Sequence, residues 1–123
     1  MIMRIWRGVV ATDRCVEYVR YIEQTGLAEY ADVPGSEGAQ MVTRDLGGGR
    51  TEVMTVSWWN SLESIRGFAG DDIETAKYYP EDDDYLLERE DRVRHYVVAG
   101  QFPHRFTAEF SPPDRIVDES EQH

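Results

Sequence analysis

His95 sits in the run Val93-Arg94-His95-Tyr96-Val97-Val98. An imidazole with an ordinary pKa of ~6.5 exchanges protons near neutrality, so His95 is a candidate general base or acid. Its valine neighbours suggest a partly buried face, where a hydrogen-bonded structural histidine is the equal alternative. Asp71 and Asp72 follow a helical segment. One of them, Asp72 in particular, could orient His95 as a carboxylate orients a catalytic imidazole, although each alone also reads as a loop acid. Tyr79 and Tyr78 could donate a phenolic hydrogen bond to a ligand oxygen or serve as core aromatics. Trp6 and Trp59 could wall a flat ligand, or simply pack. Arg4 shares a strand face with Trp6. If buried it needs an anionic partner, supplied by a nearby acid or by a ligand enolate. Arg7 is the weaker choice.

Other chemistries are poorly supported. Cys15 is the single cysteine. It has no second thiol to pair with and no matched histidine for a nucleophile or zinc site. Glu81 to Asp84 form an unbroken acidic run, read as a solvated loop, because hard cations need oxygens at defined geometry. No metal site is expected. Gly47-Gly48-Gly49 is followed by strand-like sequence rather than a helix start, so it reads as a hairpin turn and not a phosphate cradle. No dinucleotide fingerprint is present.

The chain of 123 residues is long enough for one domain, and its formal net charge is −11. Residues 71–91 hold ten acids and two bases. That balance argues against nucleic acid and against anionic membranes as partners. No stretch approaches the ~20 apolar residues of a membrane helix, and the first eleven residues do not read as a signal peptide. A cytoplasmic domain is expected.

These residues must be held by regular elements. Residues 2–11 alternate as a strand with apolar residues on both faces. Thr12 or Asp13 is placed to cap a helix in which Cys15, Tyr18, Val19 and Ile22 share one face, with Gly26 as terminator. Residues 39–45 and 51–59 are strands. Asn60 or Ser61 opens a second helix, with Asn60 and Glu63 spaced as a capping box. Residues 71–87 read as turns broken by Pro80, and residues 92–99 as a last strand. The unit spans residues 1–100. From Gln101 onward Pro103, Pro112, Pro113 and acids predict an extended arm or partial disorder.

The order β-α-β-β-α-β predicts the α+β, ferredoxin-like plan: a four-stranded antiparallel sheet with both helices on one face. Met54, Val56 and Trp58 lie on one face and Val53, Thr55 and Trp59 on the other, so the face the helices leave open carries large apolar residues whichever it is. Burying one large side chain is worth roughly 1.5–3 kcal/mol, so a two-fold homodimer through the sheet faces is expected.

Trp6-Arg7-Gly8, Pro34-Gly35, Trp59-Asn60-Ser61-Leu62-Glu63, Gly70-Asp71-Asp72-Ile73, Tyr78-Tyr79-Pro80-Glu81 and His95-Tyr96 together resemble a bacterial branch of the antibiotic biosynthesis monooxygenase-like family. The resemblance covers about residues 2–99. It implies a dimeric α/β barrel with a small-molecule pocket between sheet and helices. It implies, as one activity among several in that superfamily, a cofactor-independent oxygenase acting on an aromatic or enolisable small molecule, in the setting of secondary metabolism. His95 would remove a proton, Trp6 and Trp59 would hold the ring, and Arg4 or a tyrosine would stabilise the oxyanion. No metal, flavin or other cofactor is required on that reading. A non-oxidative isomerase or cyclase on the same pocket, and a noncatalytic small-molecule-binding dimer, are the alternatives. The haem-degrading branch is disfavoured. Trp59 matches its tryptophan, but the first strand lacks an Asn and no His lies between Trp59 and Arg94.

Overall fold

A computed structural model describes residues 1–102. The predicted tail, apart from its first two residues, lies outside the described residues. The elements are β1 (Ile2–Ala11), α1 (Cys15–Gln24), α2 (Gly26–Ala31), β2 (Ser36–Gly47), β3 (Arg50–Trp59), α3 (Leu62–Ala69), α4 (Asp82–Tyr85), β4 (Leu86–Arg89) and β5 (Arg94–Val97), with a 3-10 turn over Thr12–Arg14. The sheet order is β2-β3-β1-β4, and β5 also pairs with β1. All pairings are antiparallel. This is the expected ferredoxin-like α+β plan.

Strict two-residue alternation organises the sheet. Along β3, Thr51, Val53, Thr55, Ser57 and Trp59 are buried, and the residues between them are not. Register pairs Arg4 with Ser57, Trp6 with Thr55 and Gly8 with Val53, so these β1 residues share the same covered face. Tyr18 and Ile22, four residues apart on α1, close over that face. The core there joins Trp6, Val10, Tyr18, Ile22 and Val53. A second cluster holds Tyr30, Trp59, Ile65 and Phe68.

Four expectations are corrected. The last strand is split in two. β4 pairs with Gly8–Val10 and β5 with Ile2–Ile5, with a register shift between Val9 and Val10. Sequence periodicity saw only the second half, because Leu86–Arg89 is too short to show a period. Gly26 does not end the helical region; it starts α2. The break falls at Thr25, whose hydroxyl donates to the Tyr21 carbonyl at 2.9 Å and competes with the helix for it. Helix α3 is capped by Ser61, which accepts from the Ser64 N–H at 3.1 Å, rather than by an Asn60–Glu63 box. Thr12 and Asp13 make no side-chain cap either; the Thr12 hydroxyl meets that of Thr51 at 2.8 Å.

The glycine hairpin is present. Gly47, Gly48 and Gly49 all take positive φ (83°, 66° and 79°) and join β2 to β3. Gly8 has a different task, since a Cβ there would lie 2.8 Å from the Trp6 ring and 2.9 Å from Leu86. The missing side chain is the room in which the Trp6 indole lies. Gly8→Ala is therefore expected to lower stability by about 1–3 kcal/mol and to shift the tryptophan fluorescence. Urea denaturation followed at both tryptophan and far-ultraviolet signals checks this.

Candidate functional site

The helices do not seal completely against the sheet. A small cavity of about 40 Å³ remains at the boundary between the two core clusters, walled by Trp6, Tyr18, Tyr30, Phe68, Tyr78 and Tyr79. Arg4, Lys77 and Asp82 also reach it. Ligand pockets for drug-sized molecules run to roughly 300–1,000 Å³, so any ring ligand must part these side chains to enter.

Arg4 is the central feature. It is 2% exposed. Its Nη2 donates to the carbonyls of Ile73 and Thr75, both at a long 3.4 Å, and its guanidinium lies 5.3 Å from the centre of the Phe68 ring. Its Nε has no hydrogen-bond partner among the described residues. No carboxylate pairs with it there either. Burial lowers its pKa, opposed by the Tyr30 and Tyr79 hydroxyls nearby. Lys77 approaches the same Phe68 ring, with Nζ 4.7 Å from its centre. Its charge is shared with Glu29, whose other oxygen accepts from the Tyr79 hydroxyl. Burial pushes Glu29 up, but Lys77 and Tyr79 outweigh it, and its carboxyl is held below its ordinary value. Part of the lining is therefore cationic.

The lining also holds an acid. Asp82 is 2% exposed. Its Oδ1 accepts from the Tyr18 hydroxyl at 3.0 Å and its Oδ2 from the Tyr79 backbone N–H at 2.6 Å. Burial nevertheless raises its pKa above the ordinary aspartate value. Sequence reasoning missed it by treating Glu81 to Asp84 as one solvated run. The overlooked signal is spacing. Asp82 and Tyr85 lie three apart on one turn, and both are buried. Lys77 was passed over too, although it is one of only two bases in residues 71–91.

The expected site residues are only partly assembled. Trp6 and Tyr78 meet, with the indole N–H donating to the phenol at 3.0 Å, and the Tyr78 hydroxyl donates onward to the Glu90 carbonyl. Tyr79 reaches the cavity through its ring, and burial followed by the Glu29 hydrogen bond raises its pKa. Trp59 does not face Trp6 across a ligand. It is fully buried in the second cluster, with Nε1 on the Ser57 hydroxyl at 2.9 Å. Asp72 does not orient His95. Its carboxylate is exposed and bonded to Thr75 at 2.9 Å and Arg92 at 3.1 Å. His95 is the ladder partner of Arg4, but it does not line the cavity. Its Nε2 is buried without a partner among the described residues. Burial and the Arg4 charge lower its pKa, against a smaller pull from Glu74, so it is neutral at about pH 7.

No group of three or more metal-ligating side chains occurs among the described residues. No helix there is long and apolar enough to cross a membrane.

No family model matches the sequence, and no curated protein is similar to it. Solved structures share its fold. A Bacillus cereus protein described as an antibiotic biosynthesis monooxygenase aligns with a TM-score of 0.58 and 16% identity, covering 81% of this chain and 92% of that one. MhuD from Mycobacterium tuberculosis, described as a heme-degrader with two hemes bound in its active site, aligns with a TM-score of 0.55 and 16% identity, over 82% and 98% of the chains. The fold is thus that of the antibiotic biosynthesis monooxygenases. The residues do not fit haem here. His95 is the one histidine among the described residues and lies outside the cavity lining.

A buried cation without a counter-charge costs folding energy. Arg4→Met removes that charge, and replacing a buried charge by an apolar side chain is often neutral or stabilising by roughly 1–4 kcal/mol. The variant is expected to keep or raise the melting temperature, measured by calorimetry at low salt.

Proposed function

We propose that the chain is an oxygenase that binds an enolisable or phenolic small molecule as its anion and needs no metal or flavin. The observation that carries this reading is Arg4, a buried guanidinium in the cavity lining that no carboxylate hydrogen-bonds among the described residues. Proteins keep such a charge where it stabilises negative charge that develops in a reaction, because a fixed cation in a dry site acts strongly and need not reorganise. Lys77 adds to the field. Trp6, Tyr78 and Phe68 supply a flat apolar lining suited to a ring.

The reaction balances without a further reductant. A base removes a proton from an activated CH₂, and the electron pair spreads onto a ligand oxygen held by Arg4. The carbanion is oxidised by O₂. One oxygen atom ends in the new carbonyl and the other leaves as water, so CH₂ and O₂ give C=O and H₂O. His95, being neutral, is able to accept a proton, but it enters only as an alternative acceptor, because a base must touch the ligand.

The same reading includes a homodimer. Met3, Ile5, Met54, Val56 and Trp58 lie on the sheet face away from the helices, and none of them is buried. Val42 and Tyr96, 40% and 47% exposed, extend this face on the flanking strands. A second copy packed face to face would cover them.

Three measurements test the proposal. 2-Naphthoate, a planar anion, is expected to bind, and Arg4→Gln to weaken it by at least about tenfold, since hydrogen bonds to charged groups are worth roughly 1.5–3 kcal/mol. With 2-tetralone, oxygen consumption above the uncatalysed rate is expected. Its absence across such enolisable ketones and phenols removes the oxygenase assignment. Analytical ultracentrifugation should give a dimer, and Val56→Glu a monomer.

A further inference from the structure

We infer that Asp82 is the catalytic base of this site, taking the ligand proton while Arg4 holds the resulting anion. The inference rests on the enolate reading above and names a group in it that the sequence analysis did not single out. Asp82 is the one carboxylate among the described residues that lines the cavity. The cavity lining therefore presents both an acceptor-only group and a cation that no carboxylate hydrogen-bonds among the described residues. A ligand between them that loses a proton to Asp82 leaves its negative charge facing Arg4.

The carboxylate is free to act. Each oxygen accepts one hydrogen bond, from the Tyr18 hydroxyl and the Tyr79 N–H, and keeps a second lone pair. Those two bonds fix its orientation without neutralising it. The groups that set its charge come from every side: Tyr18 on α1, Tyr79 and Tyr78 on the preceding segment, Arg89 on β4 and Asp83 next in sequence. Arg89 itself is turned toward Asp83 and the Tyr78 ring. Burial dominates that balance and makes Asp82 more basic than an exposed aspartate. The competing carboxylates are unsuited. Glu29 is tied up by Lys77 and Tyr79, and Asp72 by Arg92 and Thr75.

In the proposed step, a C–H bond of the ligand breaks and its proton goes to an Asp82 oxygen. The electron pair delocalises onto the ligand carbonyl, which becomes the enolate oxygen facing Arg4. No oxidant enters this step, so it can be read without oxygen. The experiment follows deuterium exchange at the benzylic CH₂ of 2-tetralone under nitrogen, by proton NMR of the full chain in D₂O. The wild type is expected to exchange, with an acid limb above the ordinary aspartate range. Asp82→Asn preserves the shape and one acceptor oxygen. It is expected to lose at least about a hundredfold in exchange rate while binding 2-naphthoate within about threefold of wild type, in keeping with the 10²–10⁴ typical of general bases. If Asp82→Asn does not fold, Tyr18→Phe serves instead. It removes one donor from the charged carboxylate, so the acid limb should move to higher pH, which a purely structural role would not produce.

Exchange by Asp82→Asn within about threefold of wild type overturns the inference, as does loss of exchange in His95→Ala alone. So does a wild type that binds 2-naphthoate without exchanging 2-tetralone, or a Tyr18→Phe limb that stays in place. Exchange that depends on Asp82 without oxygen consumption upholds the base and sinks only the oxygenase reading.

Discussion

Arg4 is carried by the central strand into the layer between sheet and helices, where its charge has to be tolerated without a carboxylate. Taking a cation out of water costs several kcal/mol even after relaxation. Two long carbonyl contacts and the face of Phe68 return part of that. The neighbours are arranged to suit. Tyr30 and Tyr79 direct hydroxyls toward it, and His95 beside it is kept neutral. The cavity persists because the side chains around it are polar at their tips and cannot all collapse onto one another.

The β-alternation makes this arrangement possible. Arg4, Trp6, Gly8 and Val10 share one face of β1 only because the strand has a period of two. Gly8 leaves room for the indole of Trp6, and Trp6 in turn fixes the Tyr78 hydroxyl. Tyr78 and Tyr79 then lead into the turn that buries Asp82. A chain of packing thus runs from a glycine in the central strand to the acid in the cavity lining. The two core clusters flank it, one built on Tyr18 and Ile22 and the other on Trp59 and Phe68.

The sheet shows a division of labour between its faces. The covered face holds the charged chemistry. The other face is apolar near Met3, Ile5, Val56 and Trp58, and becomes polar toward the hairpin, where Glu52 joins Arg7 and Arg44. The short, bulged edge at β4 and β5 interrupts the outer strand beside β1. Between those two pieces, Val93 returns to the core and its N–H bonds the Glu74 carbonyl at 2.7 Å, which ties the acid-rich segment to the sheet.

Local rules made much of this legible beforehand. Alternation along residues 2–11 and 51–59, the glycine turn, and the spacing of Tyr18 and Ile22 determine the elements, because each depends on neighbours within one or two turns. They also put Arg4 on the same strand face as Trp6 and named Tyr78 and Tyr79 as ligand contacts or core aromatics. What they could not determine was which charged groups end up together. Asp82 and Tyr18 are 64 residues apart, and Arg4 and Thr75 are 71 apart. In the sequence, Asp82 is one of four consecutive acids, set apart only by its spacing from Tyr85. Only the folded chain decides that it is taken out of water while Asp72 stays exposed, because burial of a carboxylate is fixed by what packs over it and not by its own identity.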